Sequence, residues 1–137
     1  MLNMKLLIVD DEATTRTLVK RVAVSLDVED IIEANDGKEA LEKIAQFQPD
    51  IVVLDWNMPV MDGKGVLENL KLNPPAHTMS VMMLTIRTEK ENIQQALQLG
   101  ATDYVVKPIQ PMPFKVRLEK FIKAHTDRAN PSLFDKY

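Results

Sequence analysis

The chain has no cysteine, which excludes disulfide bridges and thiolate metal sites. It has only two histidines, His77 and His125, so any metal held here must rely on oxygen ligands. No apolar stretch approaches the roughly 20 residues that span a bilayer, and a membrane role is not expected. Met1-Leu2-Asn3-Met4-Lys5 leads straight into an apolar run without a signal-peptide pattern, so the cytoplasm is the expected location. A basic surplus is also lacking. Seventeen Lys and Arg face twenty Asp and Glu, for a formal net charge of -3, which disfavours general nucleic-acid binding. There are no internal repeats, low-complexity tracts or internal linkers. The 137 residues, 45% hydrophobic and 27% charged, suit one soluble globular domain with a single core.

Four short apolar runs each end on a polar group. Leu6-Leu7-Ile8-Val9 ends on Asp10-Asp11-Glu12, and Ile51-Val52-Val53-Leu54 ends on Asp55. Val81-Met82-Met83-Leu84 ends on Thr85, and Tyr104-Val105-Val106 ends on Lys107-Pro108. Continuous apolarity suits parallel strands covered on both faces. A more polar segment, Val28 to Ala34, reads as a strand at the sheet edge.

Helical patterns lie between these runs. Ala13 to Leu26 places Leu18, Val22 and Leu26 on one face. Asp36-Gly37-Lys38-Glu39 reads as a capping box before Ala40, Leu41 and Ile44. Asp62-Gly63 opens a helix with Val66, Leu67 and Leu70. Thr88-Glu89-Lys90-Glu91 reads as a second capping box, before a helix that buries Ile93, Ala96 and Leu97 and is capped at Gly100. Pro111 and Pro113 suit the first turn of a last helix carrying Phe114, Leu118, Phe121 and Ile122. The expected division is a domain over residues 1–125 and a loosely docked tail over 126–137, with both histidines at the surface.

Five strands alternating with five helices predict an α/β, doubly wound parallel sheet. Sites in such sheets lie beyond the carboxyl ends of the strands, where Asp10, Asp11, Asp55, Thr85 and Lys107 converge. Three clustered carboxylates repel one another unless a cation sits among them. Oxygen-only ligation favours a hard ion such as Mg²⁺. Asp11 and Asp55 are the first choices for direct ligation, with Asp10 acting through water and the Asn57 backbone carbonyl as a further donor. Lys107 adds a positive charge and Thr85 a hydroxyl, a set that can hold a phosphoryl group from several sides. Asp55, on the central strand, is the best candidate nucleophile for an acyl phosphate.

These residues resemble the response-regulator receiver family, in its stand-alone chemotaxis (CheY-like) type. The resemblance runs from about Lys5 to Ala124. It is carried by Asp10-Asp11, by Asp55-Trp56-Asn57-Met58-Pro59 with Met61-Asp62-Gly63, by Thr85, and by Gly100-Ala101-Thr102-Asp103-Tyr104-Val105-Val106-Lys107-Pro108. It implies a five-stranded flavodoxin-like sheet of order 2-1-3-4-5. It also implies a signalling phosphoacceptor with self-catalysed chemistry only, not an enzyme acting on other substrates. A sensor histidine kinase supplies the phosphoryl group to Asp55 in the presence of Mg²⁺. Thr85 and Lys107 then engage the group, and Tyr104 turns inward as the switch. The face made by the fourth helix, fifth strand and fifth helix meets a downstream target. Lys90-Glu91-Asn92-Ile93 and Trp56-Asn57 favour a flagellar motor switch as that target. The family suggests a cis bond at Lys107-Pro108, and a monomer is the default.

One departure stands out. The family usually has a small residue after the switch Thr, whereas this chain has Ile86, followed by Arg87. Both sit at the mouth of the site, so loss of the phosphoryl group is expected to be slow. Two competing readings carry weight. A metal-dependent phosphatase with an aspartyl nucleophile would need an acid two residues on, but Asn57 stands there. A receiver-like scaffold that signals by binding alone is kept open by Ile86 and opposed by the full set of site residues.

Overall fold

Ten elements alternate along the chain: β1 (Leu2–Val9), α1 (Ala13–Ser25), β2 (Val28–Ala34), α2 (Gly37–Phe47), β3 (Ile51–Asp55), α3 (Gly63–Leu72), β4 (Ser80–Ile86), α4 (Lys90–Gln98), β5 (Asp103–Lys107) and α5 (Pro111–Ala129). They come from a computed structural model, which describes residues 2–86 and 90–129. The strands form one parallel sheet of order β2-β1-β3-β4-β5, the order that the resemblance implies. β3 is central, and the polar β2 lies at the edge as read from its composition.

The two-residue period of a strand divides the apolar runs between two cores. Leu6, Ile8, Ile51, Val53, Met82 and Leu84 pack with α1 and α5, where Phe114, Leu118 and Phe121 are buried. Leu7, Val9, Val52, Leu54, Val81 and Met83 pack on the other face, under Ala40, Ile44, Val66, Leu67 and Ala96 of α2, α3 and α4. Both faces are therefore covered, which is why these runs are continuously apolar. Emptying a site such as Phe114 or Leu118 would cost about 2–5 kcal/mol.

Side-chain caps fix two helix starts. Asp36 accepts from the Glu39 N–H at 2.8 Å, and Asp62 accepts from the Gly65 N–H at 2.9 Å. The first is only half of the expected box, because the Glu39 carboxylate turns to Lys43 at 3.0 Å. The second box begins with Thr88 and Glu89, which lie outside the described residues. Gly100 has φ +109° just after α4, the left-handed cap read from the sequence. The Lys107-Pro108 bond is cis.

Three readings are corrected. Leu97 is 46% exposed, because Ala96 takes the place against the sheet and the next residue turns away by about 100°. His125 is 3% exposed and not at the surface. The helix also runs past the expected domain limit at 125, to Ala129. The cause of both is one network: His125 Nδ1 lies 2.7 Å from Ser80 Oγ, and Arg128 Nη2 donates to the same hydroxyl at 2.7 Å. Thr126 Oγ1 also donates to the Ile122 carbonyl at 3.0 Å. Residues 130–137 of the expected tail lie outside the described residues.

Candidate functional site

In register, Val9 of β1 is opposite Leu54 of β3, and Asp55 is opposite Leu84 of β4. Thr85 is opposite Val106, and Ile86 is opposite Lys107. The residue following each run therefore leaves the sheet at nearly the same level. This is the carboxyl edge, at the β1–β3 boundary where the strand order reverses.

Asp10 is fully buried and Asp55 is 4% exposed, while Asp11 is exposed. Carboxylate oxygens of the three lie within 4.8 Å of one another. Lys107 Nζ sits between the buried pair, 2.8 Å from Asp10 Oδ2 and 3.3 Å from Asp55 Oδ1. The Asp10 side chain is also held from its own turn, since Oδ1 accepts from the Glu12 N–H at 2.9 Å. Thr85 is 3% exposed, next to this cluster in sequence register. Trp56 is buried, as expected of a packing residue, and its backbone N–H donates to the Leu84 carbonyl at 3.0 Å. The loop after Asp55 folds back tightly: Gly63 N–H donates to the Trp56 carbonyl at 2.8 Å, and a Cβ on Gly63 would come within 2.6 Å of the Asp55 carbonyl oxygen. Only glycine fits this approach.

The electrostatics follow from burial. Asp55 is pushed up to about 7, first by burial and then by the Asp10 charge, against the opposing pull of Lys107 and of an N–H from Asn57. Asp10 is raised too, again chiefly by burial. Burial works to lower Lys107, but its hydrogen bond to Asp10 and the Asp55 charge outweigh this and hold it raised. The lysine thus stays an ammonium, but one cation does not satisfy the cluster. Asp10 Oδ2 is sealed from solvent with no conventional hydrogen bond among the described residues beyond its close approach to Lys107. A set of carboxylate oxygens gathered without nitrogen or sulfur ligands fits a hard divalent cation.

The structure thus brings Asp10, Asp11, Asp55 and Lys107 together, with Thr85 alongside and Asn57 exposed two residues beyond Asp55. Tyr104 stands apart on β5, 36% exposed, with the Arg117 guanidinium 5.8 Å from its ring centre. Arg117 is anchored by Asp103, with Nε 3.0 Å from Oδ2. Ile86 is 43% exposed at the rim. Arg87 lies outside the described residues. Sequence reading missed two residues at this pocket. Glu12 Oε1 lies 3.6 Å from Lys107 Nζ, and its place in the acidic triplet was the available signal. Arg16 donates to the Asp10 carbonyl at 2.7 Å, and no local motif marks it.

A family model described as response regulator receiver domain matches residues 6–119. Chemotaxis protein CheY-3 of Vibrio cholerae is 38% identical over 121 residues, covering 88% of this chain and 93% of that protein. Chemotaxis protein CheY1 of Helicobacter pylori is 36% identical over 117 residues, covering 85% and 94%. Among solved structures, Vibrio cholerae chemotaxis protein CheY4 superposes with a TM-score of 0.75 at 31% identity, covering 85% of this chain and 97% of that one.

Proposed function

This chain belongs to the response regulator receiver family, and from that premise we propose that it is a phosphorylation switch, with Asp55 as the acceptor, in a chemotaxis pathway. The observation that carries the reading is the placement of Lys107 Nζ, 3.3 Å from Asp55 and 2.8 Å from Asp10, at the carboxyl edge of the central strand. A carboxylate nucleophile, a fixed cation and an acidic pocket at one sheet edge are the parts that acyl-phosphate formation needs.

Asp55 attacks as the carboxylate. A bond forms from its oxygen to phosphorus while the P–N bond of a kinase phosphohistidine breaks, and the electron pair leaves with the imidazole nitrogen, which takes a proton. Asp10, Asp11 and Asp55, with the Asn57 carbonyl, would hold Mg²⁺, which when bound neutralises charge on the transferring group. Lys107 lies within reach of a phosphoryl oxygen, and the Thr85 hydroxyl can donate to another. The partners are then a sensor histidine kinase and a target protein at the α4–β5–α5 face, a flagellar motor switch being the favoured one. Among the described residues no helix is long and apolar enough to cross a membrane. The signalling protein of this reading is cytoplasmic and monomeric. Asn57 cannot protonate a leaving group, which argues against a phosphatase acting on other substrates.

Incubation with Mg²⁺ and acetyl phosphate, read by intact mass, tests this. The expected result is a phosphoryl-sized gain in mass that needs Mg²⁺ and is lost in Asp55→Asn. On removal of donor, Ile86→Ala should lose the group faster than wild type, because Ile86 covers the approach of water at the rim. No gain in mass, even with a cognate kinase and with the Ile86→Ala variant, would favour a scaffold that signals by binding alone.

A further inference from the structure

Arg16, which closes the first turn of α1, lies outside the proposed ligand and phosphoacceptor set. Its guanidinium has two partners. Nη1 donates to the Asp10 backbone carbonyl at 2.7 Å, and Nε donates to Glu33 Oε1 of β2 at 3.1 Å. The side chain is 18% exposed, largely shielded from water. Glu33 is in turn approached by Lys20 at 3.9 Å, and its backbone carbonyl accepts from Lys43 of α2. On its other side the Asp10 peptide is tied to β2, its N–H donating to the Ala34 carbonyl at 3.1 Å. The turn that presents Asp10 and Asp11 is therefore gripped from both sides of the Asp10 residue, and Arg16 supplies the grip at the carbonyl.

We infer that Arg16 is a positioning residue for the metal pocket: clamped by Glu33, it fixes the β1–α1 turn and so sets how Asp10 and Asp11 face Asp55. The inference rests on the metal reading proposed above. A guanidinium suits the task because its planar fork serves two acceptors at once, which an ammonium on a flexible stem does not. Groups that orient ligands from outside the ligand set typically change metal affinity 10–100-fold.

Charge and position make opposite predictions here. A cation near an acidic pocket repels an incoming Mg²⁺, so by charge alone loss of Arg16 tightens binding. By position, its loss loosens binding. Mg²⁺ titration of wild type, Arg16→Met, Arg16→Lys, Glu33→Gln and the Arg16→Met/Glu33→Gln pair decides between them. Trp56 fluorescence supplies one readout, because Trp56 is buried directly after Asp55, and calorimetry supplies a second. Thermal unfolding with EDTA tests that each variant is folded. Arg16→Met keeps the apolar stem, and the expected result is Mg²⁺ binding weakened by about tenfold. Arg16→Lys should rescue it only in part, and the double variant should be no worse than Arg16→Met because both residues act through one contact. The Mg²⁺ concentration needed for half the limiting phosphorylation rate should rise more than the limiting rate falls. Equal or tighter binding by folded Arg16→Met, beside a wild type that binds, overturns this inference alone. A wild type that binds no Mg²⁺ overturns the metal reading and this inference with it.

Discussion

A carboxylate at the end of a buried strand is unfavourable until something charged meets it, and Asp55 carries this conflict. Its pKa stands at about 7 in the folded chain against 3.8 for the ordinary side chain. Below 3.8 the group is protonated in folded and unfolded chains alike, and the fold bears no penalty. As pH rises toward 7 the unfolded chain ionises first, so stability is lost across that window. Asp55→Asn removes the penalty. It should stabilise the metal-free protein above neutrality by on the order of 1–3 kcal/mol, with the gain vanishing toward about pH 4. The lost ion pair with Lys107 opposes this, but burial is the larger influence on Asp55 and decides the sign. Urea unfolding in EDTA at both ends of the window measures the gain. A variant less stable than wild type above neutrality would mean that the Lys107 pairing outweighs burial.

At the scale of elements, the end of α5 behaves in the opposite sense. His125 is lowered, first by burial and then by the Arg128 and His77 charges, with Asp50 opposing. Ser80 Oγ is shared by Arg128 Nη2 and His125 Nδ1, and burial beside the Arg128 cation favours the neutral ring. The contribution is complete above the ordinary histidine value of about 6.5 and is lost as pH falls below it. Amide exchange in the last turn of α5 should therefore quicken in mild acid, and His125→Gln should abolish that pH dependence. Exchange that stays pH-independent there, after correction for intrinsic rates, would remove His125 as the cause. This end of α5 was not legible in the sequence. The apolar period stops at Ile122, and what extends the helix is a polar contact to Ser80, a residue 45 positions away. The same limit hid Arg16, whose partners are Asp10, just after β1, and Glu33 of β2. By contrast, β1, β3 and β4 were legible because burial on both faces imposes a local signal, an unbroken apolar run. Asp10, Asp55, Thr85 and Lys107 were legible because each follows such a run directly. Leu97 was misread because period alone does not tell which of two adjacent apolar residues, Ala96 or Leu97, meets the sheet on a helix of nine residues.

Across the whole molecule, the acceptor pocket and the proposed reading face are joined by two adjacent strands. Thr85 of β4 is level with Val106 of β5, and Tyr104 is level with Met83. A ligand or modification moves such an equilibrium only through a difference in interaction between its states. In the proposed switch Thr85 supplies that difference, its hydroxyl exchanging its contact with the Ile86 carbonyl for one with a phosphoryl group on Asp55. Tyr104 is exposed beneath Arg117 in the structure described, so an inward turn would change both its solvent contact and the ring over which Arg117 sits. The proposal makes Thr85→Ala informative: the variant keeps Asp10, Asp11, Asp55 and Lys107, and should still take up the phosphoryl group, yet lack the hydroxyl that couples it to β5. Tyr104 ring resonances, read by NMR with Asp55 phosphorylated, should shift to a buried environment in wild type and stay at the exposed position in Thr85→Ala. A buried Tyr104 in the phosphorylated variant would show that the coupling runs through another part of the sheet. An exposed Tyr104 in phosphorylated wild type would separate acyl-phosphate formation from any change at the α4–β5–α5 face.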